Sequence, residues 1–404
     1  MLSGRIKELL TDWWLNLSNR FLRRRALSRY PDDQLFCSKP FNWFEVSRGA
    51  EEGEVFVCCP TWLPKSIGNL ARQSVAEIWN GKAAQQIRKS MFDGSLRHCK
   101  AENCPHLQEK SYPVQRIGDI EDPDLLRLLK DRVTILPHGP REINCSYDRS
   151  CNLSCPTCRT QVIMEHNRSA EILDIQQKIN DTALADATRL YITGSGDPFG
   201  SPYFRSWLHG MRRSDMPNMR EIHLHSNGQL WTERTWSLIP EEIRDLIRSA
   251  DISIDAARPE TYAINRRGGE LERLLHNLEF ISGLRVNGPI KWLSINMVVQ
   301  DNNFEEMEEF VAMGKRYHCD TVYLHRLVNW GTFSDTEFAE RAVHLPSHPR
   351  HEAFLDALDG KSLDDHIVVL GNLTELRRKK DPVPFEGIGH LPASEKQLLG
   401  SLRP

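Results

Sequence analysis

No run of apolar residues in this 404-residue chain reaches the length of a bilayer span, and Met1 to Tyr30 lacks the uninterrupted apolar core of a secretory signal. Neither a spanning helix nor export is expected, and the cytoplasm is the expected compartment. A charge excess of either sign is also missing, because 52 Lys and Arg stand against 55 Asp and Glu, for a formal net charge of -3. A surface built to hold a phosphate backbone needs a basic balance, so nucleic acid is a poor partner. There is no GxxxxGK phosphate loop, no GxGxxG turn and no internal repeat, which removes the nucleotide-loop and solenoid readings. What the chain does hold is ten cysteines. In a reducing compartment these do not form a disulfide framework; they gather for metals or for catalysis.

The cysteines fall into two groups. Cys37, Cys58, Cys59, Cys99 and Cys104 lie early, while Cys145, Cys151, Cys155 and Cys158 follow together and Cys319 stands apart. Two groups imply two sites. The second group contains the stretch SYDRSCNLSCPTCRT, residues 146–160, a C-x3-C-x2-C triplet with no fourth cysteine close behind. A structural zinc site needs four protein ligands, and His166 stands near enough in sequence to close one of three cysteines and a histidine. A cubane held by three cysteines leaves one iron without a protein ligand, able to chelate a substrate or cofactor.

The triplet in its CNLSC form, after the short strand REINCS (Arg141 to Ser146), resembles the radical SAM superfamily. The resemblance implies a 4Fe-4S cluster on Cys151, Cys155 and Cys158 whose open iron binds the amino and carboxylate groups of S-adenosylmethionine (SAM). It implies reductive cleavage of SAM to a 5′-deoxyadenosyl radical that abstracts a hydrogen atom from substrate, with an electron donor such as flavodoxin or ferredoxin. The strand RLYIT (Arg189 to Thr193) runs into Gly194-Ser195-Gly196-Asp197-Pro198, similar to the family's GGEP loop for the SAM amino group, with Ser195 and Asp197 where Gly and Glu are commoner. A plain strand-to-helix turn is the alternative for this loop. The next unit, EIHLHSNG (Glu221 to Gly228), ends on Ser226 and Asn227, which the resemblance implies are SAM contacts. Further on, Ser253, Asp255 and Arg266 match the S-x-D element and the arginine that contact SAM in relatives with extra clusters. A guanidinium fork suits a carboxylate, and Arg267 is an adjacent rival. Capping of the following helix is the alternative for Ser253 and Asp255.

Two more strand patterns, WLSINMVVQ (Trp292 to Gln300) and TVYLHRLVNWG (Thr321 to Gly331), bring the count to about six, alternating with helical segments. Asn296 and Gln300 fall toward the carboxyl end of theirs, where barrel enzymes place ligand contacts. Such alternation implies parallel pairing through right-handed crossovers. The expected fold is α/β, a partial (β/α)6 TIM-like barrel, and 40% hydrophobic residues suffice for that core plus a smaller domain.

Before the barrel stand Cys37-x-x-Pro40, a hairpin ending GEVFVCCP, a helical GNL…EIWN segment and a closing cysteine pair. This resembles the SPASM/twitch auxiliary-cluster region, which usually follows the barrel. The resemblance implies that Cys37, Cys58, Cys99 and Cys104 hold a second 4Fe-4S cluster, with Cys59 as a substitute for Cys58. A zinc knuckle on the same four thiols is the competing reading. Cys145 and Cys319 fit buried apolar positions, or a thiol hydrogen donor of the kind some family epimerases use. The expected divisions are a basic amphipathic helix at 1–30, the auxiliary domain at 31–136, the barrel at 137–345 and an extension at 346–404. The expected reaction is net oxidation of a small metabolite, a sugar-like molecule or a peptide; redox-neutral epimerisation and a zinc-stabilised binding protein are the alternatives.

Overall fold

A computed structural model describes residues 27–47, 52–193 and 195–379. The expected N-terminal helix, Gly194 and the tail from Lys380 lie outside the described residues. The chain divides into two compact units, one ending at Arg141 and one beginning at Glu142.

In the first unit β1 (Leu35–Cys37) and β5 (Val114–Arg116) pair antiparallel, as do β2 (Trp43–Ser47) with β3 (Glu54–Phe56) and β3 with β4 (Gly68–Asn69). The β2–β3 pair is the expected hairpin. Two helices, Val75–Trp79 and Lys82–Phe92, follow β4, and the first opens on a capping box in which Ser74 and Glu77 satisfy each other's backbone amides. Phe36, Phe41 and Phe92 form an aromatic cluster with ring centroids 5.4 to 5.8 Å apart, and this fixes the strand carrying Cys37 against the second helix. Arg88 is fully buried there, spanning Pro40 O (3.0 Å), Thr134 O (2.9 Å) and Asn80 Oδ1 (3.1 Å).

The second unit carries β6 (Glu142–Ser146), β7 (Arg189–Ile192), β8 (Glu221–Ser226), β9 (Ile247–Ser253), β10 (Trp292–Val299), β11 (Thr321–Arg326) and β12 (Val368–Val369). They pair in sequence order, all parallel. Helices separate β6 to β11, which gives the partial (β/α)6 barrel, and β12 adds a short parallel strand at its end. Among the described residues no helix is long and apolar enough to cross a membrane.

The period of two sorts the strands into faces. Ile143, Ile192, Leu224, Ile252, Ile295 and Val322 are fully buried on one face. A Cβ on Gly314, in the helix Met307–Arg316, would lie 2.3 Å from Val322 Cγ2 and 3.4 Å from Ile295 Cδ1, so this face is the one the helices cover. Tyr191, His223, Asp251, Asn296 and Tyr323 occupy the alternate positions, and the barrel interior is therefore polar. Its groups satisfy one another: His223 bonds Ser249 Oγ (2.8 Å) and lies 3.2 Å from Asp251, Ser249 donates to Glu221, and Arg189 pairs with Glu221 at 3.3 Å.

Candidate functional site

The cysteine loop leaves the carboxyl end of β6 and is held by its own backbone. Cys158 and Arg159 donate N–H bonds to Cys155 O (both 2.9 Å), Cys151 N bonds Ile163 O (3.0 Å), and Ser154 N bonds Arg267 O (3.0 Å). Cys151, Cys155 and Cys158 line a single cavity with about 590 Å³ of empty space. Thr193, Ser195, Gly196, Asp197, Ser226, Asn227, Ser253 and Arg266 line it too. Every proposed SAM contact among the described residues except Asp255 thus borders the cavity that the three thiols face.

The loop after β7 approaches the cysteine loop at backbone distance. A Cβ on Gly196 would stand 2.5 Å from Asp148 O and 2.7 Å from Ser150 O, too close for any side chain. Ser195 Oγ donates to Ser146 O (2.8 Å), and Asp197 N donates to Ser150 O (3.0 Å). The Asp197 carboxylate is fully engaged within the chain. One oxygen accepts from Phe199 N (2.9 Å) and Gly200 N (2.8 Å), the other from Ser226 Oγ (2.9 Å) and Asn227 N (2.8 Å). Asp197 therefore acts as a clasp between the β7 and β8 loops. Asn227 extends the clasp by donating to Asn152 Oδ1 (3.0 Å) and lying 3.6 Å from Cys151 Sγ.

Arg266 and Arg267 separate clearly. Arg267 donates to Ser154 Oγ (3.0 Å) and Thr160 O (2.8 Å), which staples the cysteine loop from outside. Arg266 reaches the cavity, with Nη2 2.8 Å from Asp255 Oδ2 and Nη1 3.6 Å from Cys155 Sγ. Burial works against its charge, but Asp255 and Cys155 outweigh that cost and its pKa is raised. Asp255 is no helix cap: its other oxygen accepts from Val298 N (2.7 Å), the following helix Pro259–Asn265 starts at Arg258 with no side-chain cap, and Glu306 binds the amides just ahead of it, Ala257 N (2.6 Å) and Arg258 N (3.1 Å). Asp255 thus orients Arg266 from behind. Ser253 Oγ bonds His225 Nε2 at 2.7 Å, and burial holds that imidazole below its usual range.

Three cavity residues escaped sequence reasoning. Arg159 donates to Arg149 O (2.6 Å), Ser195 O and Cys158 Sγ (3.3 Å), tying both loops to one thiol. Thr193 sits at φ 120°, a strained value for a β-branched residue, and its hydroxyl donates to Gly196 O (3.2 Å). His225 was detectable only through its two-residue spacing from His223, which places both on the interior face.

In the first unit Cys37, Cys58, Cys99 and Cys104 line one pocket with about 430 Å³ of empty space, walled by Pro40, Trp62, Leu63 and Val114. Cys59 is not among its walls. Burial pushes the Cys37 thiol up to about 12 and the Cys99 thiol to about 11, and raises Cys58 and Cys104. The Cys151 thiol is likewise pushed up to about 12 by burial, with Asp197 adding to it. Thiols this reluctant to ionise become thiolates with a compensating cation, which is what cluster iron supplies. The donor sets fit clusters: the thiols surround cavities, and among the described residues no three His, Cys, Asp or Glu side chains converge at the spacing of a single ion. His166 is exposed and does not line the three-thiol cavity. Cys145, fully buried, is registered with Ile192 on the helix-covered face, and Cys319 is buried just before β11.

Residues 37–105 match the family model for SPASM, an iron-sulfur cluster-binding domain, and residues 146–314 match that of the radical SAM superfamily. Among curated proteins, the GTP 3′,8-cyclase of Alkaliphilus metalliredigens (strain QYMF) is 29% identical over 170 residues, 40% of this chain and 49% of that protein. The GTP 3′,8-cyclase of Peptoclostridium acidaminophilum is 27% identical over 169 residues, 40% of this chain and 48% of that protein. The chain thus spans about half the length of the curated relatives it matches. Among solved structures, Streptococcus suis SuiB bound to S-adenosylmethionine gives a TM-score of 0.35 at 17% identity, covering 70% of this chain and 60% of that one. The two matched domains, in the order found, place this chain in the radical SAM superfamily, with a SPASM domain ahead of its radical SAM domain and with SAM, a 4Fe-4S cluster and auxiliary iron-sulfur binding as its cofactors.

Proposed function

We propose that the cavity of the second unit binds SAM beside a cluster held by Cys151, Cys155 and Cys158, and that the enzyme carries out a net oxidation of a polar small metabolite, sugar-like molecule or peptide. The observation that carries this reading is the single cavity shared by three thiols, the Gly196 backbone and Arg266. When bound, the three-thiol cluster supplies the electron that cleaves SAM to methionine and a 5′-deoxyadenosyl radical, and a four-thiol cluster on Cys37, Cys58, Cys99 and Cys104 offers an acceptor for the electron left by oxidation. The protein's own part is orientation. Arg266, its charge held by Asp255, faces the cavity as a fork for the SAM carboxylate. Gly196 lets the loop backbone close on the cysteine loop, and the Asp197 clasp keeps it there. Substrate meets the polar interior near His225 and Ser253.

Oxidation is favoured over epimerisation by the placement of the spare thiols. Cys145 lies on the face away from the interior, and neither it nor Cys319 borders the cavity. The test incubates anaerobically reconstituted protein with SAM, reductant and candidate polar substrates in deuterated water. Formation of 5′-deoxyadenosine with a product lighter by two hydrogens is the expected result. Solvent deuterium at a substrate carbon would instead establish epimerisation, and zinc without iron and without SAM cleavage would overturn the enzyme reading. Arg266→Gln is expected to weaken SAM binding by about tenfold or more, as loss of a charged hydrogen-bond pair does.

A further inference from the structure

The strands β10 and β11 end side by side, with Val299 registered against Arg326. Gln300 follows directly, so Gln300 and Arg326 emerge at the carboxyl edge of the sheet, the edge from which the cysteine loop leaves β6. Gln300 is 1% exposed, yet its Nε2 has no hydrogen-bond partner among the described residues. Its Oε1 is approached by Arg341 Nη1 at 3.5 Å, the outer limit of a hydrogen bond. His344, 8% exposed, presents an Nδ1 that likewise has no partner.

Two guanidinium groups complete the cluster. Arg326 is within electrostatic reach of His344, and Arg341 packs over the Phe333 ring at 5.1 Å. Among the described residues no carboxylate stands within ion-pair distance of either arginine. The acids nearby are already committed: Asp301 to Arg350 (3.2 Å) and His348 (3.7 Å), Glu337 to the Ser334 cap (2.9 Å to its N–H). The uncommitted atoms are all donors: the Gln300 amide, two guanidiniums and the His344 ring nitrogen when it carries the proton. Glu337 lies within electrostatic reach of Arg341, but neither half-exposed guanidinium has a carboxylate at ion-pair distance among the described residues, and ordered water would satisfy the orphaned amide and ring nitrogen without pairing the two guanidiniums. An anionic oxygen group answers both.

We propose that Gln300, Arg326, Arg341 and His344 form an anion-recognising subsite at the carboxyl edge of β10 and β11, taking a carboxylate or phosphate group of the substrate. Guanidinium forks bind both groups through paired N–H donors, so the chemistry is shared and the source is for experiment to separate. Calling the ligand a substrate rests on the SAM-dependent reading above; the binding itself does not. Calorimetry on the reconstituted protein, saturated with SAM at low ionic strength, is run with inorganic phosphate and separately with succinate. Saturable binding of at least one of them at one site per chain is expected, and the tighter probe identifies the group. Arg326→Gln and Arg341→Gln should each weaken that binding by about tenfold or more, with Arg326→Lys nearer to wild type. Neither arginine has an ion pair among the described residues, so folding should survive, and the wild-type titration stands without the variants. Absence of saturable binding of either probe to wild type, or binding unchanged in both Gln variants, would overturn the subsite. SAM titrated into the same preparation keeps the two claims apart: SAM binding without anion binding sinks the subsite alone, and failure of SAM to bind sinks the functional reading alone.

Discussion

Gly196 is where a single methyl group should do most harm. Alanine there would press within 2.7 Å of two backbone carbonyls of the cysteine loop, and backbone cannot yield as a flexible side-chain tip can. Overpacking of this kind costs about 1–3 kcal/mol. Gly196→Ala should therefore weaken SAM binding by about tenfold, measured by equilibrium titration, and unchanged affinity would contradict the loop's role. At His344 the effect follows pH. Burial, then Arg326, lowers its pKa from 6.5 to about 4. The unfolded chain takes up that proton near 6.5 while the folded chain resists, so stability is lost as pH falls from about 6.5 to about 4, by at most about 3 kcal/mol. The thermal midpoint of His344→Gln should fall less over this window than that of wild type. The triplet was legible at this scale because ligand spacing is local. The family resemblance already preferred Cys58 to Cys59 and Arg266 to Arg267, but the engagement of Asp197 by Asn227, 30 residues on, is set by the fold and no local pattern reveals it.

At the scale of elements, the barrel strands could be read from sequence because an apolar residue at every second position is the mark of a sheet with one covered face. The helices that cover that face impose their own limit at Gly314. Alanine would gain about 1 kcal/mol in helix propensity, but its Cβ would lie 2.3 Å from Val322 Cγ2, and overpacking at about 1–3 kcal/mol outweighs the gain. Gly314→Ala should lower the thermal midpoint, and a raised midpoint would show that β11 can give way. What the strand patterns did not disclose is the polar interior. Of the two histidines of EIHLHS, His225 lines the cavity and His223 is spent on Ser249 and Asp251, a division that appears only once β8 is flanked by β7 and β9. The short β12, paired with β11, adds to the sheet a strand beyond the six patterns read from the sequence.

For the whole molecule, two thiol sets in two compact units divide the work: four cysteines around one pocket, three around another that also carries Arg266. Sequence spacing separated these sets because each is assembled largely from its own unit. Substrate identity stayed out of reach, since the groups that would contact it, His225, Gln300 and Arg326 among them, are gathered from different strands by the fold. Iron analysis of the reconstituted chain should give about eight irons, falling by about half when Cys151, Cys155 and Cys158 are all replaced by alanine. The most direct test of the central claim is electron paramagnetic resonance of the dithionite-reduced variant lacking Cys37, Cys58, Cys99 and Cys104, recorded with and without SAM. A cluster signal that shifts on adding SAM, absent from the Cys151→Ala/Cys155→Ala/Cys158→Ala protein, is the predicted result; a signal indifferent to SAM would contradict an iron left open by three thiols.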